Sequence, residues 1–210
     1  FLECIKKKVK KILHISSDEV YGEKIIGTCY ESQLVNPTNP YSASKAAAEI
    51  LINSYKYTYK KEIIIVRANN IYGIRQFPEK LISTSIVSLI NNKPIPIHGD
   101  GKNIRYYLSA EDFANALILL VKKKDKGTYN IGSTYFEKNV NIAKYICKIF
   151  KKNPKKFIKF TDDRLYNDKR YSVSSKKIRK LGWSPKRNLI SDLPMIIEWY
   201  KKNYKIFKKI

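Results

Sequence analysis

Ser16-Ser17-Asp18-Glu19-Val20-Tyr21-Gly22 places a hydroxyl and two adjacent carboxylates at the end of an apolar run, Ile12 to Ile15. Further along, Tyr41-Ser42-Ala43-Ser44-Lys45 sets a phenol and an ammonium four residues apart. On a helix that spacing puts both side chains on one face. A nearby ammonium favours the phenolate, so Tyr41 is expected to have a lowered pKa. Such a phenol can take a proton from a carbinol while hydride leaves for a nicotinamide. Ser17 is expected to hydrogen-bond the same hydroxyl. Two carboxylates that repel one another are pushed toward different protonation states, as an acid and a base require.

The elements that must hold these groups are legible in outline. Lys11 to Ser16 and Glu62 to Arg67 read as strands, and their near-continuous apolar character suits a parallel sheet covered on both faces. Asn39 can cap a helix and Pro40 fits its first turn, with helix continuing from Ala43 to Tyr59. A polar loop, Ala68 to Phe77, leads to a helix from Pro78 to about Asn91. Pro94 to His98 and Ile104 to Leu108 flank Gly99-Asp100-Gly101-Lys102 and read as a hairpin. Helices at Glu111 to Lys123, Asn141 to Lys151 and Leu189 to Tyr204 alternate with strands at Thr128 to Ile131 and Phe157 to Phe160. The alternation implies an α/β fold.

Composition narrows the function classes. The formal charge of +24 over 210 residues invites a nucleic-acid reading. The lysines are scattered, however, and Ile, Asn and Tyr are abundant beside them, a set joined by AT-rich codons. No nucleic-acid-binding motif accompanies the charge, so no nucleic-acid partner is expected. No apolar run approaches membrane-spanning length, so no membrane partner is expected either. Cys4, Cys29 and Cys147 have neither disulfide nor zinc spacing, and His14 and His98 stand alone. Reduced thiols, no metal site and a cytoplasmic setting are expected.

A strand, a Ser/Thr, then Tyr-x-x-x-Lys resembles the extended short-chain dehydrogenase/reductases. The resemblance continues through Arg67-Ala68-Asn69-Asn70-Ile71-Tyr72-Gly73, Gln76-Phe77-Pro78-Glu79-Lys80-Leu81 and His98-Gly99-Asp100-Gly101. It runs on through Arg105, Glu111-Asp112, Tyr129-Asn130-Ile131-Gly132, Asp163-Arg164, Asp168-Lys169-Arg170-Tyr171 and Leu181-Gly182-Trp183-Ser184-Pro185. Taken together the set is similar to the nucleotide-sugar 4,6-dehydratases, most closely those acting on dTDP-glucose. It implies the C-terminal part of a Rossmann-type parallel sheet plus a smaller α/β substrate-binding region. Residues 1–74 and 109–133 would form part of an NAD-binding domain, and 75–108 and 134–210 the nucleotide-sugar-binding region.

The resemblance also implies roles. Ser17, Asp18, Glu19, Tyr41 and Lys45 would be catalytic, and Ser16, Tyr41, Lys45 and Ile71 would hold NAD. Asn70, Lys80, Leu81, Pro96, Ile97, His98, Arg105, Asn130, Asp163, Asp168 and Tyr171 would bind the nucleotide sugar, with Arg105 suited to a diphosphate. Tyr41 would take the O4 proton as C4 is oxidised. Glu19 would remove the C5 proton, Asp18 would protonate the departing C6 hydroxyl, and hydride would return to C6, giving dTDP-4-keto-6-deoxyglucose. A homodimer is implied. Related epimerases generally lack the acidic pair, so dehydration is expected over epimerisation. A UDP-sugar 4,6-dehydratase, an epimerase of the same family and an inactive binding module remain alternatives.

Two departures stand out. Ser17 replaces the usual Thr, which keeps the hydroxyl. No Gly-x-Gly-x-x-Gly or Gly-x-x-Gly-x-x-Gly turn follows a strand, whereas family members carry such a unit in about one hundred preceding residues. The chain is therefore expected to bind NAD weakly by itself and to leave Lys11 to Ser16 and Glu62 to Arg67 at an unpaired sheet edge.

Overall fold

The computed structural model describes residues 2–123 and 126–209. Phe1, Lys124, Asp125 and Ile210, which fall within the segments assigned above, lie outside the described residues. The chain opens with α1 (Leu2–Lys6), β1 (Ile12–Ser17), α2 (Pro40–Tyr59), β2 (Ile63–Ala68) and β3 (Asn70–Tyr72). It continues with α3 (Leu81–Ile90), β4 (Ile95–His98), β5 (Ile104–Ser109), α4 (Ala110–Lys122), β6 (Gly127–Ile131) and β7 (Phe136–Lys138). The remainder is α5 (Asn139–Ile149), α6 (Pro154–Phe157), β8 (Ile158–Thr161), α7 (Lys176–Arg179) and α8 (Leu189–Asn203).

The apolar runs form a parallel sheet in the order β1-β2-β6. Every residue of β2 is buried, as a strand covered on both faces requires. The expected edge is corrected here for Glu62 to Arg67: β2 is the middle strand, and β1 alone of the two is an outer strand. Register matters more than order. Ser16 faces Arg67 and Ser17 faces Ala68, so the two strands end level. The residues that follow them, Asp18 and Asn69, leave the sheet side by side.

α2 starts where the capping residues dictate. Asn39 Oδ1 accepts from Ser42 N at 2.9 Å, and Asn39 N donates to Ser42 Oγ at 3.2 Å, closing a capping box around Pro40. A buried ion pair then fixes the helix to the sheet. Arg67 Nε donates to Glu49 Oε1 at 3.0 Å and Nη2 to Oε2 at 2.5 Å. The guanidinium lies 4.6 Å from the Tyr21 ring centroid. That contact ties the turn after β1 to the same pair.

Two differences from expectation concern pairing. The segment 68–77 is not all loop: β3 within it pairs in parallel with β5. The residues around Gly99 and Gly101 do turn the chain, both with positive φ, but they join no hairpin. β4 pairs in parallel with β8, and β5 pairs with β3 and, antiparallel, with β7. The glycine signal was right about a reversal and gave no information about partners sixty residues away.

Two cores flank the strand ends. Ile64, Val66, Leu108, Ala116, Leu120, Tyr129 and Ile131 make one, to which Ile178 and Trp183 also belong. Residues of α3, β4, α5 and α8, among them Ile86, Ile97, Ile146 and Leu193, make the other.

Removing one member of a buried ion pair leaves the other charge uncompensated. Glu49→Ala should therefore lower unfolding free energy by about 3–5 kcal/mol in urea titrations, while Glu49→Leu combined with Arg67→Met should lose much less. Equal losses would contradict this account of the pair.

Candidate active site

The level ends of β1 and β2, the start of α2 and the segment 164–171 enclose a cavity of about 830 Å³. Ser16, Ser17, Glu19, Tyr41, Lys45, Asn70, Ile71, Lys80, Leu81, Pro96, Ile97, His98, Arg105, Asp168 and Tyr171 all line it. Three of the expected residues do not. Asp18 lies behind the wall, 5% exposed. Asn130 is fully buried, its side chain spent on the Tyr21 hydroxyl (2.9 Å) and the Cys29 carbonyl (3.2 Å). That corrects its expected contact with ligand: it supports the turn after β1. Asp163 caps its own loop, accepting from Arg164 N at 2.8 Å and Asn167 Nδ2 at 2.9 Å, while Arg164, Tyr166 and Asn167 face the cavity.

The two carboxylates differ in setting. A short 3-10 turn over 18–21 begins after Ser17, whose Oγ accepts from Glu19 N at 3.2 Å. Gly22 ends it with φ 74, and a Cβ there would sit 2.2 Å from the Asn36 carbonyl. The turn drives Asp18 inward and leaves Glu19 on the cavity. Burial, with Glu19 adding repulsion, pushes the Asp18 carboxyl up to about 7, against the opposing pull of Asn69 and Arg105. Asn69 Nδ2 donates to Asp18 Oδ2 at 2.7 Å. Glu19 Oε2 receives Asn39 Nδ2 at 3.4 Å and lies 3.4 Å from the Tyr171 hydroxyl. Asp168 accepts from the same Tyr171 hydroxyl, from Thr38 Oγ1 at 2.7 Å and from Asn39 Nδ2 at 3.4 Å.

The expectation for Tyr41 is corrected in one respect. Burial raises its pKa, and Glu19 and Asp18 raise it further, while hydrogen bonding by Ser17 pulls the other way. Lys45 is not among the groups that shift it, and its Nζ donates to the Ile15 carbonyl at 3.3 Å. Tyr41 itself is 53% exposed at the cavity mouth. At the far side, Arg105 donates to Asn167 Oδ1 at 3.2 Å and stacks on Tyr171, 4.9 Å from its centroid. His98 is exposed, its Nδ1 3.2 Å from the Asp162 carbonyl. The arrangement offers a buried carboxyl raised to about 7, a cavity-facing carboxylate and a phenol at one end, with a guanidinium at the other.

Sequence reading assigned no role to Asn69 or Asn39. Asn39 carried a visible capping signal, and its second set of contacts is tertiary. Asn69 sits in a visible motif, but nothing local names its partner, which is fifty-one residues away.

The parallel framework and this side-chain set define a Rossmann-type α/β protein with a Tyr–Lys helix. The family profile described as GDP-mannose 4,6 dehydratase matches residues 1–193. A trifunctional UDP-glucose 4,6-dehydratase/UDP-4-keto-6-deoxy-D-glucose 3,5-epimerase/UDP-4-keto-L-rhamnose-reductase of Arabidopsis thaliana is 45% identical over 93% of this chain and 30% of its own length. The dTDP-D-glucose 4,6-dehydratase of Homo sapiens is 37% identical over 97% of this chain and 60% of its own. Among solved structures, dTDP-glucose 4,6-dehydratase from Bacillus anthracis, in complex with NAD, is similar at TM-score 0.91 and 33% identity, covering 99% of this chain and 67% of that one. The chain belongs to the GDP-mannose 4,6 dehydratase family. It spans less than two thirds of the length of both the Arabidopsis and the human protein.

A carboxyl raised to about 7 has a stated effect on stability. The folded state prefers it protonated, so stability falls as pH climbs from the ordinary carboxylate range near 4 to about 7 and is level above that. Asp18→Asn mimics the protonated form. Its stability gain over wild type should grow by about 1.4 kcal/mol per pH unit across that window in urea titrations. A gain independent of pH would mean that Asp18 ionises normally.

Proposed function

We propose that this chain carries the catalytic and sugar-binding part of an NAD-dependent nucleotide-sugar 4,6-dehydratase. The observation that carries the reading is the unequal pair: Asp18 buried with its carboxyl raised to about 7, and Glu19 beside it on a cavity that Tyr41 also lines. In this reading Tyr41 first releases its own proton to solvent and then, as a phenolate hydrogen-bonded by Ser17, takes the O4 proton. Glu19 then removes the C5 proton, made acidic by the C4 carbonyl. The C5–H electrons form a second, π bond between C5 and C6, and the C6 hydroxyl leaves as water with the Asp18 proton, so Asp18 ends as a carboxylate.

The residues fit a nicotinamide cofactor. Ser16 Oγ is buried without a hydrogen-bond partner among the described residues, and Ser16 lines the cavity with Lys45 and Ile71. Those three and Tyr41 would hold the nicotinamide end. NAD, when bound, supplies reversible hydride acceptance. No glycine-rich turn suited to its pyrophosphate is present in the 210 residues.

Arg105 and the segment 164–171 would receive the nucleotide diphosphate. dTDP-glucose is the substrate favoured by the human and bacterial relatives. UDP-glucose is the second reading, favoured by the higher identity to the Arabidopsis protein. We propose a homodimer as well, for which α2 exposes Ile50, Leu51 and Tyr57. The cysteines, none in a disulfide, support a cytoplasmic setting.

The intact gene product should convert dTDP-glucose to its 4-keto-6-deoxy product, read by the alkaline chromophore, with the ratio of kcat/KM for dTDP-glucose and UDP-glucose deciding between the two bases. Formation of a 4-epimer instead would sink the dehydratase reading. Tyr41→Phe should slow oxidation about a hundredfold or more. Glu19→Gln should spare oxidation, so that absorbance at the wavelength of reduced nicotinamide rises while product does not form.

A further inference from the structure

Asn69 is 3% exposed, and its backbone N and both atoms of its side-chain amide are held. Its backbone N donates to the Ile131 carbonyl at 3.2 Å. Its Oδ1 accepts from Ser133 N at 3.1 Å. A backbone N–H can only donate, so the amide cannot be turned over without losing that bond. Gly132 lets the contact form: a Cβ there would lie 2.3 Å from Asn69 Oδ1. With Oδ1 committed to the end of β6, Nδ2 must face β1, where it donates to Asp18 Oδ2 at 2.7 Å.

The consequence falls on Asp18. An oxygen that accepts an N–H bond along its lone pair is the poorer place for a proton. The other oxygen, Oδ1, accepts only a long bond from Ser17 Oγ at 3.4 Å, and that hydroxyl can turn to accept from a protonated Oδ1 instead. Ser17 lines the cavity that Asp18 does not reach. We propose that Asn69 is a positioning residue that keeps Asp18 Oδ2 as acceptor, so that the acidic proton sits on Oδ1, toward Ser17 and the cavity. The end of β6 thus orients an acid in the turn after β1, across the width of the sheet. The role of that proton in water loss rests on the function proposed above; its placement does not.

The charged and titratable groups facing Asp18 are Glu19 in its own turn, Arg105 of β5, Tyr41 of α2 and Cys29. None of them is altered by substitution at position 69. Because the Asn69 bond favours the ionised carboxyl, its loss should raise the Asp18 pKa. Carboxyl-13C NMR of aspartate-labelled protein, with Asp18→Asn to assign the signal, would follow the titration in wild type, Asn69→Leu and Asn69→Ala. We expect the midpoint to rise by about one pH unit in both variants. Two variants are used because leucine fills the site whereas alanine cannot clash. An unchanged midpoint in a folded variant overturns the proposal.

Kinetics give the second readout. In both variants kcat should fall about tenfold or more with KM for the nucleotide sugar within about twofold, and the alkaline limb of the pH profile should move up with the NMR midpoint. A change in KM alone would overturn the positioning role. If wild type turns over neither dTDP-glucose nor UDP-glucose, the function proposed above falls, and the NMR midpoint still tests whether Asn69 holds Asp18 Oδ2 as an acceptor.

Discussion

The register of two parallel strands governs this structure. Ser17 opposite Ala68 means that β1 and β2 stop at the same height. The next residue of each, Asp18 and Asn69, is released at the same place and meets the other. A slip of one residue would send the side chains of β1 to the opposite face of the sheet. The pairing is secured by an all-buried middle strand and by the Arg67–Glu49 pair, which sets α2 on the same frame. Tyr41 and Lys45 are thereby delivered to the end of β1 without any local interaction between them and the carboxylates being needed.

Burial then divides the labour. Asp18 and Glu19 are adjacent and chemically alike, yet the turn that begins at Ser17 puts one behind the wall and the other on the cavity. Desolvation favours a neutral Asp18 more than the Glu19 charge does. Asn39 joins the second carboxylate to the rest: it caps α2 and also touches Glu19 and Asp168. Position of the Tyr41 helix, position of the Glu19 carboxylate and closure of the 164–171 segment therefore share one side chain. Substitutions in that segment should be felt at Glu19 through Tyr171 and Asp168, although more than a hundred residues separate them.

What could be read from the chain followed the range of the interaction. β1, β2, the start of α2 and most cavity residues were legible, because apolar runs, a capping box and a motif resemblance are local in sequence. The hairpin over 94–108 was not, because Gly99 and Gly101 report a reversal and not the strand that pairs afterwards. The lowered pKa expected for Tyr41 failed for a related reason: helical spacing places Lys45 on the right face but does not say that its Nζ will satisfy the Ile15 carbonyl. Asn130 looked like a ligand contact because it sits in a motif, and it proved to be a buried prop for Tyr21. Asn69 was passed over although it lies in an equally visible motif, since only the register makes it a neighbour of Asp18.

The central claim is that Asp18 and Glu19 work as a separated acid and base on one sugar, Glu19 from the cavity and Asp18 from behind Ser17 at its wall. Turnover of the nucleotide sugar in D2O tests it most directly, with product examined by NMR and mass spectrometry. A carbon acid opened by Glu19 must be reprotonated from solvent, so the account predicts a single deuterium at C5 and loss of the C6 oxygen. Product that has lost water yet carries no solvent deuterium at C5, or deuterium entering at C4 with the C6 hydroxyl retained, would contradict it.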